Sequence, residues 1–213
     1  MYNNIIRIIT IAVMAAAMTA MSGCGHSETW KEMDKAENVI FEHPDSALAI
    51  LDDLDTDRLK GKKEAARYAL LKSMALDKNY IFTTDFDVLK PAIDYYPKHG
   101  TPDEKMRTFY YQGCIFMDRG DAIPAMRCFL KACDLKDGVL DSLTLAHAYV
   151  ALGFLNNNKY KLPDYIENNV KAANLYNELA EKTFALHCYT NAAKGYIYLD
   201  ERQHADSILS ICP

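Results

Sequence analysis

The sequence predicts an all-α fold made of helical hairpins stacked side by side. Three observations predict it. After the first two dozen residues no stretch sustains the apolar–polar alternation of a half-buried strand, whereas apolar residues recur at spacings of three and four throughout. Pairs of such stretches follow one another at roughly 30–42 residues, the period of a helical solenoid, giving about five hairpins. Nine Gly and seven Pro in 213 residues are few for a chain of tight β-turns. Half the residues are apolar and a quarter charged, enough for a packed core. With 29 acidic against 24 basic residues the net charge is −5, which argues against a general nucleic-acid binder.

The first element is an address. Residues 1–23 carry one early charge, Arg7, then an apolar and small run from Ile8 to Met21, then Ser22-Gly23 before Cys24. A charged start, an apolar middle and a small-residue cleavage site make a signal peptide. The apolar run is short for a spanning helix, which needs ~20 residues. Met21-Ser22-Gly23-Cys24 resembles the lipobox of bacterial lipoproteins. That resemblance implies cleavage before Cys24, acylation of its thiol and new amine, and a lasting membrane anchor. Gly25 after the Cys favours the outer membrane by the same resemblance, facing periplasm or cell surface. Residues 24–27 are then a short lipidated tether, and 28–213 the helical domain.

The hairpins follow in order. Stretches 28–41 and 45–54 are split at His43-Pro44-Asp45, and 63–78 and 85–96 by a longer connection over 79–84. In the third pair, Met106, Phe109, Tyr110, Gly113, Phe116 and Met117 form one stripe of a helix over 103–118. Thr101-Pro102-Asp103-Glu104 is its start signal. Thr101 can accept from a free backbone N–H, Pro102 suits the first helical position and Glu104 completes a capping box. Arg119-Gly120-Asp121 turns the chain into 122–135, where Ala125, Phe129, Ala132 and Cys133 share a side. Stretches 141–157 and 164–180 form the fourth pair, and 182–199 and 204–212 the fifth.

These residues resemble the tetratricopeptide-repeat family. Its pattern has a bulky residue, Leu-Gly and an aromatic in the first helix of each pair, then Ala, aromatic and Ala in the second. Phe109, Gly113, Phe116, Ala125, Phe129 and Ala132 match it, with Gln112 in place of Leu; Tyr149, Leu152-Gly153, Gly195 and Tyr198 match in part. Each glycine is expected where a side chain would hold the paired helices apart. Gly113 to Gly153 and Gly153 to Gly195 both exceed the family's usual repeat, so the connections are longer. More narrowly the chain resembles tetratricopeptide lipoproteins of Gram-negative gut anaerobes, through the lipobox, Trp30, Pro44–Leu48, Ala66–Leu71 and Tyr95-Tyr96. The resemblance implies a right-handed α-α superhelix. It also implies a concave groove, lined by the first helices, that holds a protein or peptide partner. Carried over, the groove residues are Arg107, Tyr110, Met117, His147, Phe154, Asn157, Tyr189 and Tyr196. Tyr and Arg suit such a role because they bury much area and keep a polar handle. A solenoid ending at Cys212-Pro213 leaves Ile208 and Ile211 needing cover, so a truncated form of a longer protein is expected; a partner or dimer covering that end is the alternative.

Other chemistry is thinly represented. Asp53, Asp55, Asp57 and Glu64 mimic calcium-loop spacing, but Arg58 stands where the sharp turn wants Gly and Lys60 replaces an apolar residue. A solvated acidic turn is the reading preferred there. Cys114, Cys128, Cys133, Cys188 and Cys212 form no Cys-x-x-Cys or Cys/His cluster, so no metal site is expected, and their role is small apolar packing. Asp45-Ser46, Asp141-Ser142 and Asp206-Ser207 resemble short O-glycosylation signals of the same bacteria, and are read first as helix starts. No phosphate-binding Gly loop, catalytic triad or paired acid and base stands out, so neither an enzyme nor a cofactor is expected. The expected function is a non-catalytic interaction scaffold in the cell envelope. The alternatives are the extracytoplasmic sensor part of a longer membrane-bound transcriptional regulator, and a glycan-binding lipoprotein, which the single Trp disfavours.

Overall fold

The computed structural model describes residues 27–158 and 160–212. The expected signal segment 1–23 and the expected lipidation site Cys24 lie outside the described residues. Among those described there are ten α-helices, two short 3-10 turns and no strand. The first hairpin is α1 (Glu28–Val39) and α2 (Pro44–Asp52). The second is α3 (Gly61–Lys78) and α4 (Lys90–His99), the third α5 (Pro102–Asp118) and α6 (Ala122–Cys133). The fourth is α7 (Ser142–Asn158) and α8 (Leu162–Glu178), the fifth α9 (Lys182–Tyr198) and α10 (Arg202–Ser210). Each helix packs on its neighbours in the chain, and α1 also on α3, α3 on α5, and α5 on α7.

Local chemistry sets the boundaries. Thr101 Oγ1 accepts from Glu104 N–H (3.3 Å) and Thr101 N–H donates to Glu104 Oε2 (2.7 Å), so the capping box expected at α5 is present. The helix expected over 85–96 instead starts at Lys90. Asp85 Oδ1 accepts from Asp87 N–H (3.1 Å), an Asx turn that competes with helix, and Pro91 then favours the first turn.

The first helices of four successive hairpins stop in the same way. Tyr80, Gly120, Tyr160 and Asp200 have φ of 57°, 79°, 56° and 60°. At each, the residue's own N–H and the following one bond back to the last helical turn. Examples are Tyr80 N–H to Asp77 O (2.9 Å) and Ile81 N–H to Leu76 O (2.9 Å). This is the Schellman stop, in which a left-handed residue satisfies the last orphan carbonyls. The four positions recur every 40 residues, so α3, α5, α7 and α9 are register equivalents.

That register corrects one sequence assignment. Forty residues after Gly153 stands Ala193, not Gly195. A Cβ on Gly113 would fall 2.6 Å from the Phe129 ring, and one on Gly153 2.8 Å from Asn169 Nδ2, so both space the helices of their own pair. A Cβ on Gly195 would fall 2.4 Å from Ile166 Cγ1, so Gly195 spaces α9 from the preceding α8 instead.

Antiparallel neighbours make the first helices parallel, and the turns at their C-terminal ends gather on one edge. Asn79 Nδ2 donates to Pro44 O (2.7 Å), joining the first two turns, and Thr83 N–H to Asp118 Oδ2 (3.3 Å), joining the second to the third. At the opposite edge Leu140 and Asp141 N–H both donate to Asp103 Oδ1 (2.8 and 2.9 Å). The core runs between helix layers. Met33, Leu51, Met74, Met106, Phe129 and Ala146, from successive hairpins, are all fully buried.

Candidate functional site

The expected groove residues divide into a closed half and an open half. Arg107, at the second turn of α5, is not free to meet a ligand. Its Nε lies 2.6 Å from Asp141 Oδ2 and its Nη1 3.2 Å from Glu37 Oε1. Arg67, 40 residues earlier on α3, pairs with Asp34 (2.7 Å) and Glu37 (2.6 Å) and lies over the Trp30 ring (4.5 Å). The ladder Asp34–Arg67–Glu37–Arg107–Asp141 thus crosses α1, α3, α5 and the start of α7. Burial pushes the Asp141 carboxyl up, but the Arg107 charge and two hydrogen bonds from Thr144 outweigh it, and its pKa falls below the usual range.

Tyr110 and Tyr189 do not line an open surface. Tyr110 is 9% exposed, its ring packed among Tyr111, Phe129 and His147. Tyr189 is 3% exposed, and its hydroxyl donates to Asn174 Oδ1 on α8 (2.8 Å). The 40-residue register explains it. Tyr189 is the equivalent of Tyr149 and Phe109, the bulky residue of the pair's interior, not of an outward position. Tyr196 is the equivalent of Phe116; it is half-buried, stacked on His204 of α10 (5.3 Å), and faces the cleft formed with Pro163 and Val170 of α8. Met117 is half-buried against the core. His147 is half-buried between the Tyr110 and Tyr176 rings, and burial, with the nearby Lys78 charge, pushes its pKa down to about 4 against a pull upward from Asp141.

Phe154 and Asn157 are exposed, Phe154 by 53%. Their register equivalents on α9, Lys194 and Ile197, are exposed too, as is His187, the equivalent of His147. The corresponding positions on α3, Met74 and Asp77, are fully buried and half-buried. The face made by these first helices is therefore filled over α3 and α5 and open over α7 and α9. Residues Lys194, His187 and Ile197 escaped sequence reasoning because the misplaced Gly195 shifted α9 by two residues. The 40-residue spacing of Arg67 and Arg107 was the signal that pointed to them.

The acidic stretch does not assemble as a calcium loop. Glu64 is 7% exposed and turns to the start of α1, accepting from the Ser27 hydroxyl, the Lys60 N–H and the Thr29 hydroxyl (3.3 Å). Burial raises its pKa, and those hydrogen bonds outweigh burial and hold it below the ordinary value. Among the described residues no three His, Cys, Asp or Glu side chains are placed to share a metal ion, and no helix is long and apolar enough to cross a membrane. No family model, curated protein or solved structure matches the chain.

Proposed function

We propose that the chain is a tetratricopeptide-like lipoprotein, a right-handed solenoid held to the outer membrane through Cys24, and that it serves as a non-catalytic scaffold for a protein partner. The observation that carries this reading is the parallel, 40-residue recurrence of four first helices, α3, α5, α7 and α9, each ended by the same left-handed stop. An array of that kind presents one continuous face to a partner, and stacking of neighbours supplies its core. The open part of that face, around Phe154, His187, Lys194 and Ile197, is the partner site. It joins two exposed apolar side chains to a cation and an imidazole, the mixture of anchor and polar rim that interfaces use.

The test uses the lipidated full chain carrying a photo-crosslinking residue at Phe154 or Ile197, expressed in its own envelope. The reading expects the same discrete crosslinked protein from both positions, absent when the crosslinker sits at the 69% exposed Ile123 on α6. Crosslinks from Ile123 alone, or none from Phe154 and Ile197, would remove the assignment. Globomycin, which blocks lipoprotein cleavage, tests the anchor separately by leaving the precursor uncut.

A further inference from the structure

The connection from α3 to α4 closes over a cavity of about 30 Å3, room for one group the size of a water molecule. Two carboxylates border it: Asp77, from the last turn of α3, and Asp118, the last residue of α5. The rings of Tyr80, Phe82 and Tyr111 border it as well. Tyr111 is 2% exposed, and among the described residues its hydroxyl makes no hydrogen bond, nor does the Asp77 carboxylate. The nearest cation does not fill the space: the Lys78 ammonium lies over the Phe41 ring, 5.7 Å from its centroid. Burial raises the pKa of Asp77 and outweighs the Lys78 charge, which pulls it down; burial likewise raises that of Asp118 against its hydrogen bond from Thr83 N–H, and among the described residues neither carboxylate forms an ion pair. Tyr80 and Phe82, 83% and 77% exposed, stand at the mouth with little packing on their own chain.

Two carboxylates and a buried phenol bordered by aromatic rings are the chemistry that recognises an organic cation. The volume selects among cations. A primary ammonium is compact and fits one water-sized space, whereas a planar guanidinium is larger and needs a fork of acceptors. A metal ion would want more oxygen ligands than two carboxylates and a phenol supply. We propose that this cavity, on the edge where the first helices end, receives the ammonium of a lysine side chain presented by a partner protein. The site is separate from the open face of α7 and α9 and does not depend on the scaffold reading.

The test is a titration of the full chain with a capped heptapeptide carrying one central Lys among Ala and Gly, followed by amide resonances. The proposal expects saturable shifts concentrated at 80–84 and 114–118. It expects affinity at least tenfold weaker in Asp118→Asn and in Asp77→Asn, and unchanged in Asp85→Asn, an exposed carboxylate on the same connection. The acetyl-lysine peptide should not shift these resonances, and the arginine peptide should bind more weakly. Scattered or non-saturating shifts, binding retained in the Asp77→Asn/Asp118→Asn variant, or equal binding of arginine would overturn it. Asp118 is exposed, so Asp118→Asn and Phe82→Ser decide the matter should Asp77→Asn fail to fold.

Discussion

Arg107 Nε lies 2.6 Å from Asp141 Oδ2, and the two residues belong to different hairpins. The Asp141 side chain is 7% exposed, so removing its partner leaves a charge in poor contact with water. The same carboxylate accepts from Thr144 N–H (3.0 Å) and so also starts α7. Asp141→Asn keeps the shape and loses the charge, and Arg107→Met keeps much of the volume. Each should cost about 2 kcal/mol, and the double variant well short of the sum, with a coupling of about 1–2 kcal/mol. Urea denaturation of the four chains checks this; additive losses would show the pair to be idle.

Glycine positions separate crowding from backbone conformation. Gly113→Ala should lose about 1–3 kcal/mol because its Cβ meets the Phe129 ring, and Phe129→Leu in that background should recover part of the loss. Gly195→Ala should lose a comparable amount against Ile166. Gly120→Ala meets nothing within 4 Å and should lose only about 1 kcal/mol, for its φ of 79°. Thermal unfolding of the three variants ranks them.

The opposite change should stabilise. Ala180 ends α8 with φ 61°, and Asp200 ends α9 with φ 60°. Glycine adopts that region without the side-chain clash, so Ala180→Gly and Asp200→Gly should each gain about 0.5–1 kcal/mol. A lower midpoint in urea for either would mean that the left-handed stop is not formed there.

The pH dependence has a definite sign. His147 has its folded pKa lowered from 6.5 to about 4, so between those values the unfolded chain takes up a proton that the folded chain refuses. Stability should therefore fall as pH drops from about 6.5 to about 4, by up to about 3 kcal/mol from this group. Asp141 is lowered as well; its contribution is full above its unfolded value of 3.8 and is lost as pH falls through the still lower folded one. His147→Phe should flatten the slope between pH 4 and 6.5 and leave the more acidic loss in place, as urea midpoints across pH would record.

Much of the architecture was legible because helical hairpins are written locally. The capping box at Thr101 and Glu104, the turn at Gly120 and the three-and-four spacing of Met106, Phe109 and Tyr110 each depend on residues within one or two turns. What lay beyond local reading was register between hairpins. Gly195 carries the same residue type as Gly153 but answers to Ile166 on the preceding helix, a contact that no spacing within α9 reveals. That shift of two residues turned Tyr189 and Tyr196 outward on paper, whereas the fold packs the first and half-buries the second. Tyr110 failed for a related reason, since its cover, His147, comes from the next hairpin. The ladder through Arg67 and Arg107 joins partners 30 to 70 residues apart, which charge content alone does not pair.

The stacked, parallel order of the first helices is the claim on which the rest stands. Spin labels placed pairwise at Tyr80, Tyr160 and Asp200, all at exposed helix ends, test it by electron–electron distance. With packed helices 8–10 Å apart, the array predicts about 20 Å between 80 and 160 and about 30 Å between 80 and 200, rising with each hairpin. A distance from 80 to 200 equal to or shorter than that from 80 to 160 would mean that the chain folds back on itself as a closed bundle, and would contradict the array.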